Sequence, residues 1–214
     1  MGLFLTFSIF KNKESKAVED ELRKFASSVN GGFEISDIKQ EDPNFCSILI
    51  RDKKTIVTYP NYFTEYFQSS KFLSKSLQER VYTFNIYDGD YWMLYIFENG
   101  NLSARFNPFQ NYWSEKEDRE QLKTWNFDLD KFCDDFSIAS NSVAKYFIEW
   151  KSGNRDTKAY KGDEFNYGDC FQVFDLLKRS LISYSDIINS EKKSNHVQIM
   201  DIKPFTTRGS EDYL

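Results

Sequence analysis

Apolar and polar positions alternate along Leu3-Phe4-Leu5-Thr6-Phe7-Ser8-Ile9-Phe10, a period of two that predicts a strand. The period then changes. Val18, Leu22, Phe25 and Val29 recur at helical spacing and predict a helix over residues 14–29, stopped by Asn30-Gly31-Gly32. Two short strands, 46–50 and 55–59, flank the polar Arg51-Asp52-Lys53-Lys54, which suits a hairpin connection. After Pro60, the positions Phe63, Tyr66, Phe67, Leu73 and Leu77 mark an amphipathic helical stretch to residue 79, with Gln68-Ser69-Ser70 as a point where it could divide.

The clearest pattern is a meander. Residues 80–87, 91–98 and 101–106 are aromatic and β-branched runs joined by Asp88-Gly89-Asp90 and Asn99-Gly100; Asn-Gly is the preferred content of a two-residue type I′ turn. The middle run is apolar on both faces, which predicts a strand covered on both sides. In the last run Leu102, Ala104 and Phe106 are expected to point one way, and Ser103 and Arg105 the other.

Beyond Pro108 the pattern is mostly helical. Leu129, Phe132, Cys133 and Phe136 mark one helix, and Val143, Ala144, Phe147 and Trp150 a second. Residues 151–166 read as a loop or weak hairpin. A third helix is expected to start at Asp169, which has capping-box spacing to Gln172, and to bury Phe171, Phe174, Leu177 and Leu181. Val197–Ile202 is expected as an edge strand before a frayed tail. Strands followed by helices give an α+β fold class: an antiparallel sheet centred on the meander of residues 80–107, with helices packed on it and a helical C-terminal half. The expected organisation is one domain over residues 1–189 and a polar segment over 190–214.

Composition narrows the function. Twenty-one Phe, thirteen Tyr and four Trp in 214 residues give far more flat, amphipathic side chains than usual, and these suit both cores and interfaces. A net charge of -5 removes the ordinary electrostatic reason to expect nucleic acid as a partner and favours cationic ones. No apolar run is long enough for a membrane span, and the N-terminal run lacks the basic start and small-residue cleavage site of a secretion signal. Cys46, Cys133 and Cys170 are odd in number and widely spaced, so they are expected to be buried thiols in a reducing cytoplasm rather than disulfides or zinc ligands.

Candidate chemistry is sparse. His196 is the one histidine, in a polar segment, and neither nucleophile elbows nor phosphate-binding loops occur, so no catalytic, cofactor or metal site is expected. Asp88 and Asp90 fit the turn they flank better than an acid–base pair. What remains suits recognition: acidic positions at Asp128, Asp130, Asp134 and Asp135 and at Asp163, Glu164 and Asp169, with aromatic positions at Tyr112, Trp113 and Trp125. A solvated face and ordinary core packing are the plainer account of these; the alternative is an anionic, aromatic patch for a basic protein.

Trp92-Met93-Leu94-Tyr95-Ile96-Phe97-Glu98-Asn99-Gly100, running into Arg105-Phe106-Asn107-Pro108 and Asn111-Tyr112-Trp113, resembles bacterial immunity proteins of polymorphic-toxin and contact-dependent growth inhibition systems. Glu164-Phe165-Asn166-Tyr167-Gly168-Asp169, leading into Phe171-Gln172-Val173-Phe174-Asp175-Leu176-Leu177, has the same character. The resemblance implies a cytoplasmic protein that binds a cognate toxin and covers its active site or a surface it needs; it carries no residue-level binding motif. An atypical enzyme using carboxylates in a sheet–helix pocket, or a scaffold component of a bacterial assembly, are the alternatives.

Overall fold

The computed structural model describes residues 3–29, 32–35, 45–59, 63, 65–109, 127–188 and 198–203. The described strands are β1 (Leu5–Lys11), β2 (Gly32–Ile35), β3 (Phe45–Arg51), β4 (Lys54–Thr58), β5 (Val81–Tyr87), β6 (Tyr91–Glu98), β7 (Asn101–Phe106) and β8 (Gln198–Lys203). They form one sheet in the order β2-β8-β3-β4-β1-β5-β6-β7, every neighbouring pair antiparallel. The fold is therefore α+β. The meander β5-β6-β7 lies at one end of this sheet rather than at its centre, which β4 and β1 occupy. The stretch expected as an edge strand, β8, is an inner one, paired with β2 through Met200 and Ile35 and with β3 through Met200 and Cys46.

Helices cover both faces. On one lie α1 (Ser15–Ser28) and α2 (Tyr66–Ser76), whose Val18, Leu22, Phe25 and Leu73 pack with Phe10, Ile48, Val57, Val81 and Phe97 of the sheet. The other face carries α3 (Leu129–Phe136), 3-10 turns at Ser140–Ser142 and Ala144–Tyr146, α4 (Gln172–Lys178) and α5 (Tyr184–Ile188). Their Phe132, Phe136, Tyr146, Phe174 and Ile187 join Phe7, Ile9, Phe84, Trp92 and Leu94 in the second core cluster. As the alternation predicts, Leu5, Phe7 and Ile9 of β1 enter this cluster while Phe10 enters the first.

Three turns use left-handed backbone, as tight hairpins between twisted strands require. Asp52 and Lys53 (φ 45° and 61°) join β3 to β4, Asp88 and Gly89 (51° and 76°) join β5 to β6, and Asn99 and Gly100 (52° and 79°) join β6 to β7. Gly100 has a second reason to be glycine. A Cβ there would meet the Cβ of Lys75 at 3.1 Å, and its N–H donates to Ser74 Oγ at 2.9 Å, so the hairpin tip rests on α2. Ser69 and Ser70 do not divide α2. Both are buried against the sheet, where Ser70 meets Ser8 (3.2 Å) and Thr83 (2.7 Å), while Ser69 meets the Tyr59 hydroxyl (3.3 Å).

Several expected details are revised. The pairing shifts between Ile96 and Phe97, so that Ile96 faces Ala104 and Phe97 faces Leu102, leaving Ser103 as an extra residue. Leu102 consequently packs on the α1/α2 side and Ala104 and Phe106 on the other, not all three together. The helix expected over residues 143–150 is replaced by the 3-10 turns, because Val143 leaves helical space at φ -132° and Phe147 does so at φ -96°, ψ 47°. Asp169 does not open a capping box. Its Oδ1 accepts from Phe171 N at 2.8 Å in a local turn, Gln172 is buried with no hydrogen bond to its amide group, and α4 starts at Gln172. Leu181 lies beyond the end of α4 with φ 64° and is 65% exposed, so it is not part of the buried stripe. The Asn30-Gly31 stop and the tail after residue 203 lie outside the described residues.

Candidate functional site

Among the described residues, the acidic positions singled out by the sequence are not gathered into one site. Tyr112, Trp113 and Trp125 lie outside the described residues. Asp128 caps α3, its Oδ1 accepting from Lys131 N at 3.0 Å, and it is exposed along with Asp130 and Asp134. Asp135, on the inner side of the same helix, is drawn into a charged cluster. It accepts from Arg80, from the Tyr82 hydroxyl at 2.5 Å and from Lys11 at 3.3 Å. Arg80 also reaches Glu98 at 3.1 Å, and Lys131 reaches the second oxygen of Glu98 at 3.0 Å.

Electrostatics in this cluster follow from the partners. Burial pushes the Asp135 carboxyl upward, but the Tyr82 hydrogen bond and the charges of Arg80 and Lys11 hold it below the ordinary carboxylate range. The Lys131 hydrogen bond, with Arg80, lowers Glu98 against a smaller opposing effect of burial. A cavity of about 190 Å³ opens beside Arg80, Tyr82, Ser103 and Lys131. The cations in its lining, Arg80 and Lys131, are already paired with Asp135 and Glu98, which is the arrangement of a structural ion network bracing α3 on the meander.

Asp163 is buried rather than solvated, at 4% exposure. Its Oδ1 accepts from Tyr146 at 2.8 Å and Arg179 at 2.5 Å, and its Oδ2 from Tyr160 N at 2.9 Å. The Arg179 guanidinium lies 5.2 Å from the centre of the Tyr160 ring, so charge pairing and cation–π contact act on one side chain. This network ties the 160–163 turn to α4 and the 3-10 turns. Asp169 is spent on its local turn, which leaves Glu164 as the exposed member of the second acidic group, paired with Lys178 at 2.7 Å.

Glu164 borders a cavity of about 470 Å³. Its apolar wall consists of Phe165, Phe171, Phe174 and Tyr184. The rings form a contiguous array: Phe165 to Phe171 at 5.5 Å, Phe171 to Phe174 at 5.9 Å, and Tyr184 edge-on to Phe171 and Phe174 at 5.9 and 4.6 Å. Only Phe174 is fully buried; Phe165 and Phe171 are half-buried and Tyr184 is 41% exposed. Helical spacing explains the construction, since Phe171, Asp175 and Lys178 lie four and then three residues apart, on one side of α4 and its first turn. Tyr184 and the flanking Ser183 and Ser185 of the lining follow the left-handed turn at Leu181 and are held by Asp186, which accepts from Ser183 N at 2.8 Å.

Asp175 is the polar group deepest in this wall, at 4% exposure. Its Oδ2 accepts from Phe165 N at 2.8 Å and both oxygens share Glu164 N at 3.1 and 3.0 Å, which fixes the loop carrying Phe165 over the helix. Burial raises its carboxyl above the ordinary range, against those N–H donors and with help from the negative charges of Asp163 and Glu164. The sequence reading missed Asp175, Lys178 and Tyr184 as site residues. Asp175 and Lys178 look like the polar face of an amphipathic helix, and only the return of residues 164–165 onto that face makes it a concavity.

All three thiols, Cys46, Cys133 and Cys170, are free and buried. Among the described residues no group of His, Cys, Asp and Glu could hold a metal ion, and no helix is long and apolar enough to cross a membrane. Compared with known proteins, the chain matches no family model, no curated protein and no solved structure.

Proposed function

We propose that the chain acts by stoichiometric binding to another protein, as an immunity-type inhibitor that neutralises a cognate bacterial toxin in the cytoplasm. The observation that carries this reading is the half-exposed ring array of Phe165, Phe171 and Tyr184, set in an open cavity with a charged rim. Aromatic groups partly desolvated before binding are the usual anchors of protein interfaces, because little side-chain entropy is lost when a partner covers them. The helices after residue 127 are then the recognition half of the fold. Exposed Asp128, Asp130 and Asp134 on α3 would speed association with a basic partner without contributing much to its lifetime. Asp135 and Asp163, by contrast, are committed to Arg80 and Arg179 and serve the fold.

The test is protection. Co-expression of the chain with the toxin encoded beside it should rescue growth, and the two purified proteins should form a complex of fixed stoichiometry. Loss of both results, with the chain folded, would remove this function.

A further inference from the structure

We propose that the cavity between the 164–171 loop, α4 and α5 receives an arginine side chain of the partner protein; this specifies the contact within the protein-binding function proposed above and depends on it. The charged lining consists of Glu164, Asp175 and Lys178, an excess of one carboxylate. Lys178 is exposed and hydrogen-bonded to Glu164 rather than to the deeper Asp175. Asp175 Oδ1 takes only its share of one forked N–H, which leaves lone-pair capacity for a further donor. Phe165, Phe171 and Tyr184 line the same cavity, and aromatic rings attract a cation at their faces and pack on an alkyl stem.

Arginine satisfies both halves better than lysine. Its planar, weakly hydrated guanidinium stacks on rings and donates in a fork to carboxylate, whereas an ammonium is a strongly hydrated point charge. The molecule uses the same combination internally: Arg179 lies over the Tyr160 ring while donating to Asp163. Arg155 likewise lies 4.5 Å from the centre of the Phe109 ring. In the neighbouring turn Leu181 is 65% exposed and held at φ 64°, a strained conformation for a branched side chain.

The experiment titrates acetyl-Gly-Arg-Gly-amide into the isotope-labelled full-length protein and follows backbone amide resonances, with the citrulline counterpart, which keeps shape and loses charge, as comparison. Shifts at Phe165, Phe171, Lys178 and Tyr184 are expected for the arginine peptide, with the citrulline peptide weaker by about fivefold or more. Asp175→Asn tests the deep carboxylate; because that residue also holds the loop, Glu164→Gln and Tyr184→Leu at exposed positions are the second pair, each expected to weaken binding severalfold. Equal binding of the two peptides, or shifts confined to other surfaces, would overturn the proposal. If a partner protein binds and the Glu164→Gln and Tyr184→Leu variants bind it as tightly as the parent, the cavity inference fails and the protein-binding function stands. If the arginine peptide binds in the cavity and no toxin is neutralised, the cavity is an arginine site and the toxin-neutralising function falls.

Discussion

At the scale of single residues, environment decides charge more than sequence neighbours do. Asp134 and Asp135 are adjacent and look alike in the sequence, yet one is exposed and the other lies against Arg80, Tyr82 and Lys11. Because the folded carboxyl of Asp135 is lowered, the stability it contributes is present above the unfolded carboxylate pKa and is lost as pH falls through the folded one. Asp135→Asn should therefore cost about 2 kcal/mol near neutrality, since it leaves the mostly buried Arg80 guanidinium with Glu98 as its one carboxylate partner among the described residues, with a discount for the part of the pair that water screens. The variant and parent denaturation midpoints should converge in acid, where the parent carboxyl is itself neutral; parallel curves would refute the assignment. Asp175 has the opposite sign. Its raised carboxyl makes stability fall as pH rises from the unfolded value through the folded one, so Asp175→Asn loses loop-fixing geometry but also loses that cost. The thiols give a simpler test. Burial raises all three, Cys170 to about 12, and iodoacetamide at mildly alkaline pH should label the denatured chain fully and the native chain hardly at all.

At the scale of elements, the legible parts were those whose signal is local. The Asn99-Gly100 turn, the ends of the meander strands and the apolar stripe of α3 follow from residues close in sequence, and the structure places them where the pattern does. Ser103 defeats the pattern because an inserted residue changes which face follows, and period-two reading assumes that none is inserted. Ser69 and Ser70 resemble a break in α2, yet they answer Ser8, Thr83 and Tyr59 across the interface, which no local reading of α2 can detect. The turn after α4 is the place where element and function meet. Leu181 occupies a position that favours glycine, so Leu181→Gly should stabilise the chain by about 0.5–1 kcal/mol, the relief of left-handed strain exceeding the entropy added to the unfolded state. If Leu181 is a contact residue the same variant should bind the partner more weakly. Thermal denaturation beside a binding titration would check both signs; a loss of stability would show that Leu181 packs in a way its exposure conceals.

At the scale of the whole molecule, order along the chain misleads about order in the sheet. The meander is the strongest signal in the sequence but ends at the edge strand β7, while β1, the first of the described strands, sits between β4 and β5. Similarly, the polar surroundings of residues 198–203 suggest an accessory edge strand, whereas pairing with both β2 and β3 makes β8 the link that keeps β2 in the sheet. Sequence separation hides this, because nothing near residue 200 records that two strands more than a hundred residues earlier lie on either side of it. The consequence can be measured. Met200→Pro removes a backbone donor from a strand paired on both sides, and should cost about 3 kcal/mol, a fall in Tm of about 6–12 °C for a chain of this size. The unpaired backbone of β3 that results would offer an edge for association, so the variant should also aggregate more readily on warming. A dispensable terminal strand would leave Tm and the hydrogen-exchange protection of Cys46 and Ile48 unchanged, and that result would remove β8 from the interior of the sheet.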